Sequence, residues 1–230
     1  MKKSLLAALL FVVAAPSAFA QFAPPIDTVF TENFDGTLSA DSIAANFNTD
    51  STNATRSWND TTFLKTSGTR SFHTQCFAND SIIFETDDFT TIGYTNVRFT
   101  FDQICKIRYI QKGTIQMSRD NGTTWVNLTG AEYQGGSPQF SSQGWFNELS
   151  YPSALLSPYW QGPTIGNSNT GVTPANTWWA RETFDLSTYL GAYDATNTQN
   201  GFAQCKIRFI MNNKTGTPSP SGLAGWFVDN

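Results

Sequence analysis

The sequence has few charged residues and a single histidine, and both shortages exclude functions. Asp, Glu, Lys and Arg together make up only 14% of the 230 residues. Long surface helices need many Lys and Glu side chains, so an all-α fold is excluded. The one histidine, His73, lies in a strand-like run, and no Gly-x-Ser-x-Gly segment accompanies it. A Ser-His-acid site needs a positioned base, and a lone strand histidine is more often structural, so we predict that the chain is not an enzyme.

Motifs for metal-assisted and glycosidic hydrolysis are missing as well. The sequence contains no His-Glu-x-x-His and no Cys-x-x-Cys. It also lacks Glu-x-Asp-x-x-Glu, the strand spacing that sets two carboxylates around a glycosidic bond. The nearest match, residues 85–88, is better interpreted as the end of a strand entering a turn.

Long apolar runs are confined to the amino terminus. Lys2 and Lys3 precede the run from Leu5 to Ala15, and small residues follow up to Ala20, as in a secretory signal. We predict a signal peptide over 1–20, a linker over 21–27 and one domain over 28–230, with no membrane span. The mature protein is then secreted, either extracellular or at the cell surface.

Positive charge is scarce in the predicted mature chain. Without Lys2 and Lys3 the 14 basic residues fall to 12 against 18 acidic ones, and the formal charge moves from −4 to −6. Such a balance disfavours a nucleic-acid partner.

The string Cys-Lys-Ile-Arg occurs twice in the sequence, and it is the basis of a disulfide prediction and of a predicted basic surface. Cys105 and Cys205 begin the copies, so both cysteines are expected in the same phase of their strands and a disulfide between them is predicted. The alternative is buried unpaired thiols. If the strands lie side by side, four basic residues form an outward stripe suited to sulfated or uronic polysaccharides, unless acidic neighbours pair with them: Lys106, Arg108, Lys206 and Arg208.

What the sequence does contain is strand patterning, clearest in residues 94–128. Apolar residues occupy most odd positions from Val97 to Tyr109, the period of a strand with one buried face. A second alternation through Ile115 and Met117 ends at Asp120-Asn121-Gly122, which predicts a hairpin. Further strands are predicted near 28–34, 70–77, 81–89, 178–184, 202–212 and 225–230, with a helical turn within 38–47 and a polar surface tract over 48–62.

Residues 129–177 form a long segment rich in aromatic residues, without sustained alternation. Exposed rings in such a segment can stack on sugars, whereas buried rings would pack the segment onto a sheet. The candidate ligand-binding rings in and beside this segment are Tyr133, Trp145, Tyr151, Tyr159, Trp160 and Trp178.

Several segments together resemble the MAM-like, concanavalin-type jelly-roll domains of bacterial proteins exported by type IX secretion. The matching segments run through nearly the whole mature chain: 32–36, 97–107, 118–125, 184–187 and 225–229. The resemblance implies an all-β, two-sheet antiparallel sandwich of jelly-roll topology, here with a long aromatic-rich loop. It also implies one module of a longer protein, and the strand-like ending at Asn230 predicts truncation within the last strand.

The resemblance sets the expectations for function. It implies a non-catalytic module that binds glycans or cell-surface proteins in adhesion. The alternatives are a domain that positions substrate for a secreted peptidase or glycosidase absent from this chain, and a structural spacer in an adhesin. Related sandwiches often hold a structural calcium ion between their first and last strands, for which Glu32, Asp35 and Asp229 are candidate ligands; these residues can also be simple turn caps.

Overall fold

Two five-stranded antiparallel sheets make up the protein. The computed structural model describes Thr28 and residues 47–51, 58–75, 79–107, 110–150, 174–196, 198–213 and 225–230. The first sheet has the order β1-β4-β11-β6-β7 and the second has the order β2-β3-β12-β5-β8, while β9 and β10 pair separately. The strands are β1 Phe47–Ser51, β2 Asn59–Thr61, β3 Ser71–Thr74, β4 Asp80–Thr86, β5 Arg98–Lys106, β6 Lys112–Ser118, β7 Val126–Asn127, β8 Ala180–Asp185, β9 Tyr193–Asp194, β10 Gln199–Asn200, β11 Lys206–Asn213 and β12 Gly225–Asp229.

The predicted two-sheet antiparallel β-sandwich is confirmed. Strand β4 alternates between buried and half-buried residues along its whole length, because one of its faces packs into the sandwich. The predicted hairpin is also present: β7 pairs with β6, and the Leu128 N–H donates to the Ile115 carbonyl at 2.9 Å. Asn121 and Gly122 have φ angles of 55° and 79°, the left-handed backbone that the turn requires.

Aromatic rings from both sheets fill the space between them. Trp58 is 2% exposed and lies 5.4 Å from Phe84 of the first sheet and 5.6 Å from Trp226 of the second, measured between ring centroids. Phe209 meets Phe101 edge-on at 5.0 Å. Such pairs add to the large apolar area that these rings remove from water, so they bind one sheet to the other.

The outer side of the second sheet is covered too, which the alternation in β5 did not predict. Ile104 and Phe227 point away from the main core and form a smaller cluster with Leu64 and Trp178. The even positions of β5 were expected to face water, but the second half of the strand is buried on both sides. Lys106 is buried with them, 5.7 Å from the Trp178 ring, and burial lowers its pKa.

Strands that are consecutive in the chain are often not neighbours in a sheet. Strand β3 belongs to the second sheet and the next strand in the chain, β4, belongs to the first, so these two strands do not form a hairpin. Strand β12 lies between β3 and β5, and all five of its residues are buried. Residues 48–51 of the tract predicted as polar surface lie in strand β1, and Trp58 of that tract lies in the core.

The predicted disulfide between Cys105 and Cys205 is wrong. Cys105 belongs to β5 of the second sheet, whereas Cys205 precedes β11 of the first sheet. Both thiols are fully buried, and no disulfide joins them. The repeated Cys-Lys-Ile-Arg string therefore marks equivalent phases in strands of different sheets. The alternative interpretation, buried thiols outside a disulfide, fits both residues.

The long segment between β7 and β8 contains short helices. The helix Pro138–Gln143 begins after Ser137, whose hydroxyl accepts from the Phe140 N–H at 3.2 Å, and Gly144 ends it in a left-handed conformation. A capping Ser, a Pro at the first turn and a terminal Gly are sequence signals for a helix. No helix among the described residues is long and apolar enough to cross a membrane. The predicted strand 28–34 and the predicted helical turn lie largely outside the described residues.

Candidate ligand-binding face

The aromatic residues predicted to bind sugars divide between the core and segments that the structure does not describe. Tyr133 and Trp178 are only 8% and 5% exposed, so neither ring presents a face to a ligand, contrary to the prediction. Trp145 is half-buried, and the Lys112 ammonium lies 3.7 Å from its ring centroid. Tyr151, Tyr159 and Trp160 lie outside the described residues, and their role remains a prediction.

The predicted basic stripe does not form, because β5 and β11 lie in different sheets. Lys106 is buried in the second sheet, and Arg108 lies outside the described residues. Lys206 and Arg208 both belong to β11 of the first sheet, where alternation places them on its outward side. Among the described members of the predicted stripe, these two therefore share an outward sheet surface.

The calcium prediction concerns one described residue. Asp229 is fully buried, and its Oδ2 accepts hydrogen bonds from the Thr66 N–H at 2.7 Å and the Thr66 hydroxyl at 2.8 Å. Glu32 and Asp35 lie outside the described residues. No cluster of three potential metal-ligating acidic, His or Cys side chains occurs among the residues that are described.

The histidine side chain of His73 packs against an aromatic ring. Its ring stacks on Phe227 with the centroids 4.0 Å apart, on the outer side of the second sheet. This packing agrees with the structural interpretation of a lone strand histidine.

The outward side of the first sheet carries a row of polar side chains set by strand register. Arg208 of β11 lies between Glu85 of β4 and Gln116 of β6, each directly opposite it on a neighbouring strand. Gln116 in turn lies opposite Asn127 of β7. Neighbouring strands are about 4.8 Å apart, so a row over four strands spans about 14 Å, the length of a short oligosaccharide segment. Register alone thus lines up four hydrogen-bonding groups. We call this set, together with Trp125, the polar face.

Hydrogen bonds and a ring fix the centre of the polar face. Arg208 Nε donates to Gln116 Oε1 at 2.6 Å, and Gln116 Nε2 donates to Asn127 Oδ1 at 2.5 Å. The Trp125 ring covers the guanidinium, with Cζ of Arg208 3.9 Å from the ring centroid. Because a cation over an indole face is attracted to it, Trp125 holds the planar group in place.

The hairpin turn positions Trp125. Asp120 accepts from the Thr124 N–H at 2.8 Å, from the Thr124 hydroxyl and from the Ser118 hydroxyl, which closes the turn. These hydrogen bonds, first those from Thr124, lower the pKa of Asp120. A Cβ on Gly122 would lie 3.3 Å from the Trp125 ring, so the turn backbone packs closely on that ring. The turn therefore places Trp125 directly against Arg208.

One acidic side chain of the polar face is already neutralised. Glu85 Oε1 accepts from the Lys206 ammonium at 3.2 Å, and both side chains are mostly buried. Burial lowers the pKa of Arg208 although the Glu85 charge opposes this, and an arginine remains protonated at neutral pH. Lys206 and Arg208 together face one carboxylate, Glu85, so this part of the polar face keeps a net positive charge.

A cleft opens beside the polar face, at the edge where β7 faces the short helix Ser187–Leu190. It has a volume of about 340 Å³, at the lower end of the range for small-molecule sites. Its lining is Met117, Ser118, Arg119, Thr124, Val126, Thr188, Tyr189 and Leu190. Val126, whose neighbours belong to the polar face, points into this cleft and is 42% exposed.

A buried carboxylate ties the long segment to the sandwich. Glu182 of β8 is 2% exposed, accepts from Gln103 Nε2 at 2.8 Å and accepts from the Tyr133 hydroxyl. Burial raises the pKa of Glu182 to about 7 although these hydrogen bonds oppose the shift, and the Asp102 charge adds to it. Tyr133 was predicted as a ligand-binding ring, but its hydroxyl serves this internal contact.

The polar face was not predicted as a site. Period-two alternation already sets Gln116 apart from Ile115 and Met117, and the predicted hairpin sets Asn127 close to Gln116. The sequence pattern does not show that β11 pairs with β6. This pairing brings Arg208 to Trp125.

The chain was compared with protein families, curated proteins and solved structures. No family model matches the chain, and no curated protein does. A solved structure described as concerning carbohydrate-binding modules of the β-sandwich superfamily, with promiscuous specificity, is similar over 80% of this chain, at 14% identity and a TM-score of 0.39. This chain spans about half, 55%, of the length of that neighbour. A likeness this distant carries no argument about function.

Proposed function

We propose that this chain is a non-catalytic binding module that recognises glycans through the polar face. The observation that carries the proposal is the row of guanidinium and amide groups beside a tryptophan on one outward sheet surface. Sugars present hydroxyl groups around a ring, so amide and guanidinium groups held at fixed spacing can bind them in one orientation. Because β4, β6 and β11 are central or paired strands, the row is rigid before a ligand arrives.

The proposed setting is extracellular. It rests on the signal-like residues 1–20 and on the resemblance to MAM-like modules of exported bacterial proteins. In that setting the module would bind cell-surface or matrix glycans, in adhesion or beside a hydrolase. A calcium ion held by Glu32, Asp35 and Asp229 would be structural in this proposal and would not contact the polar face.

The proposal is tested by affinity electrophoresis of the full chain through gels containing a panel of neutral and acidic polysaccharides. We expect retardation by at least one polysaccharide, and we expect Trp125→Ala to reduce it at least tenfold because Arg208 loses its cover. Tyr193→Ala is the matched control, since Tyr193 is an aromatic residue 62% exposed on β9, outside the polar face.

Each result has a definite meaning. If no polysaccharide retards the wild-type chain, with calcium or with chelator, the glycan proposal is wrong. If Trp125→Ala and Tyr193→Ala weaken binding equally, the polar face is not the site. Retardation that chelator abolishes would support the structural calcium ion.

A further inference from the structure

We propose that the polar face selects glycans that carry a carboxylate, as uronic-acid polymers do. This inference rests on the proposed glycan-binding function and names the ligand class of the same face. It follows from the direction of the hydrogen bonds along the row and from the charge that remains there.

The hydrogen bonds along the row can run in only one direction. A guanidinium has donors and no acceptor, so Arg208 Nε must donate and Gln116 must present its oxygen to it. The other end of the Gln116 amide is then its NH₂ group, which donates to the Asn127 oxygen. Asn127 uses its oxygen in this bond, so its NH₂ group remains for a ligand. The arginine thus orients both amides.

Several N–H donors around Arg208 are left for a ligand. The terminal nitrogens of Arg208 and the indole N–H of Trp125 have no hydrogen-bond partner among the described residues. The Asn127 NH₂ is a third such group, and Asn127 is exposed. A hydroxyl both donates and accepts, whereas a carboxylate only accepts. The amide oxygens of Gln116 and Asn127 already accept from within the row, and Glu85 accepts from Lys206. The groups without any partner are therefore mainly donors, which favours a carboxylate over a neutral hydroxyl.

The shape and charge of the arginine favour the same ligand. The Trp125 ring covers a face of the guanidinium. A ligand would therefore meet the guanidinium at its edge, where the N–H groups lie. Two parallel N–H groups match the two oxygens of a carboxylate. The nearby acidic side chain, Glu85, is paired with Lys206. The net charge at the contact is therefore positive although the chain as a whole carries a formal charge of −4.

The test compares one polymer in two chemical states. Binding of the full chain to oligogalacturonate and to its methyl ester is measured by isothermal titration calorimetry, since the ester keeps the sugar backbone and removes the charge. We expect binding to the acid at least tenfold tighter than to the ester. Dextran and dextran sulfate form a second pair, which separates a carboxylate from a sulfate.

Two variants locate the effect. Asn127→Asp keeps the acceptor for Gln116 and replaces the free NH₂ with a carboxylate on an exposed residue, so the fold stays intact while affinity for the acid falls at least tenfold. Arg208→Lys keeps the charge without the paired N–H groups and should lose most of the preference for acid over ester. Arg119→Gln is the matched control, because Arg119 lies over Phe202 outside the polar face.

The outcomes separate this inference from the proposed function. Equal binding of acid and ester by the wild-type chain would overturn the carboxylate preference and leave glycan binding standing. Binding of dextran sulfate alone, or unchanged acid binding by Asn127→Asp, would also overturn it. Failure to bind any of the four polymers, with no retardation in the polysaccharide gels, would overturn both.

Discussion

Glu182 shows how a single residue can make the stability of this sandwich depend on pH. Its carboxylate is enclosed by Tyr133, Gln103 and the more distant Asp102, with no cation facing it among the described residues. Removing a carboxylate from water disfavours its charged form, so the folded protein holds its proton up to a pKa of about 7. An unfolded chain would release that proton near its ordinary pKa of about 4.5.

We expect Glu182→Gln to flatten the pH dependence of the free energy of unfolding. Since the folded pKa is raised, the stabilisation by the protonated Glu182 is fully present below about pH 4.5 and is lost as pH rises through about 7. The loss amounts to at most about 3 kcal/mol. Urea titrations of both proteins across this window should show the wild-type free energy of unfolding falling relative to that of Glu182→Gln.

The comparison with the variant isolates this residue from other acids. Asp102 is buried, but its hydrogen bonds with Arg181 and Asn230 outweigh the effect of burial and lower its pKa. It therefore contributes the opposite slope at lower pH, which both proteins share. Parallel curves for the wild type and Glu182→Gln between pH 4.5 and 7 would contradict the prediction.

At the scale of an element, the segment after β7 docks onto the free edge of β8. The Gln134 N–H donates to the Thr183 carbonyl at 2.8 Å, and the Asp185 N–H donates to the Glu132 carbonyl at 2.8 Å. Phe140 and Phe146 then enter the core beside Phe184. Much of the aromatic content of this segment thus holds it onto the sandwich, as the packing alternative proposed.

Two adjacent glycines test how closely this element docks. A Cβ on Gly135 would clash with the Glu182 carboxylate and the Tyr133 hydroxyl, whereas one on Gly136 would have nothing within 4 Å. We expect Gly135→Ala to lower the free energy of unfolding by about 1–3 kcal/mol, the usual cost of overpacking, and Gly136→Ala to change it by less than about 0.5 kcal/mol. Equal effects in urea denaturation would show that the docking is not close.

At the scale of the whole molecule, noncovalent packing joins the two sheets. Cys105 and Cys205 are fully buried thiols in different parts of the sandwich, and burial raises the pKa of Cys205. Because the thiolate is the reactive form, a buried thiol with a raised pKa reacts slowly.

We therefore expect iodoacetamide to leave Cys105 and Cys205 unlabelled in the native protein and to label both in concentrated guanidinium chloride. Peptide mass spectrometry without reduction gives the readout, with the denatured sample as control. A peptide pair linked through these two cysteines would contradict the structure.

Strand positions and the hairpin could be predicted from the sequence because they depend on neighbours in the chain. The alternation in 81–89 and 202–212 and the Asn121-Gly122 turn each depend on a few consecutive residues. The division of the strands between the sheets could not be predicted in the same way. Alternation records that one side of a strand is buried, but it does not identify the strand alongside.

Local residue patterns were enough to predict the all-β class, the strand periods, the turn and the shortage of catalytic groups. The three-dimensional fold was needed to show that the two Cys-Lys-Ile-Arg segments lie apart, that Tyr133 and Trp178 are buried, and that Arg208 meets Trp125 and Gln116. The residues in these contacts are distant in the chain, 92 positions apart for Arg208 and Gln116. The contacts depend on which strands pair and on how the two sheets pack, and local propensity encodes neither.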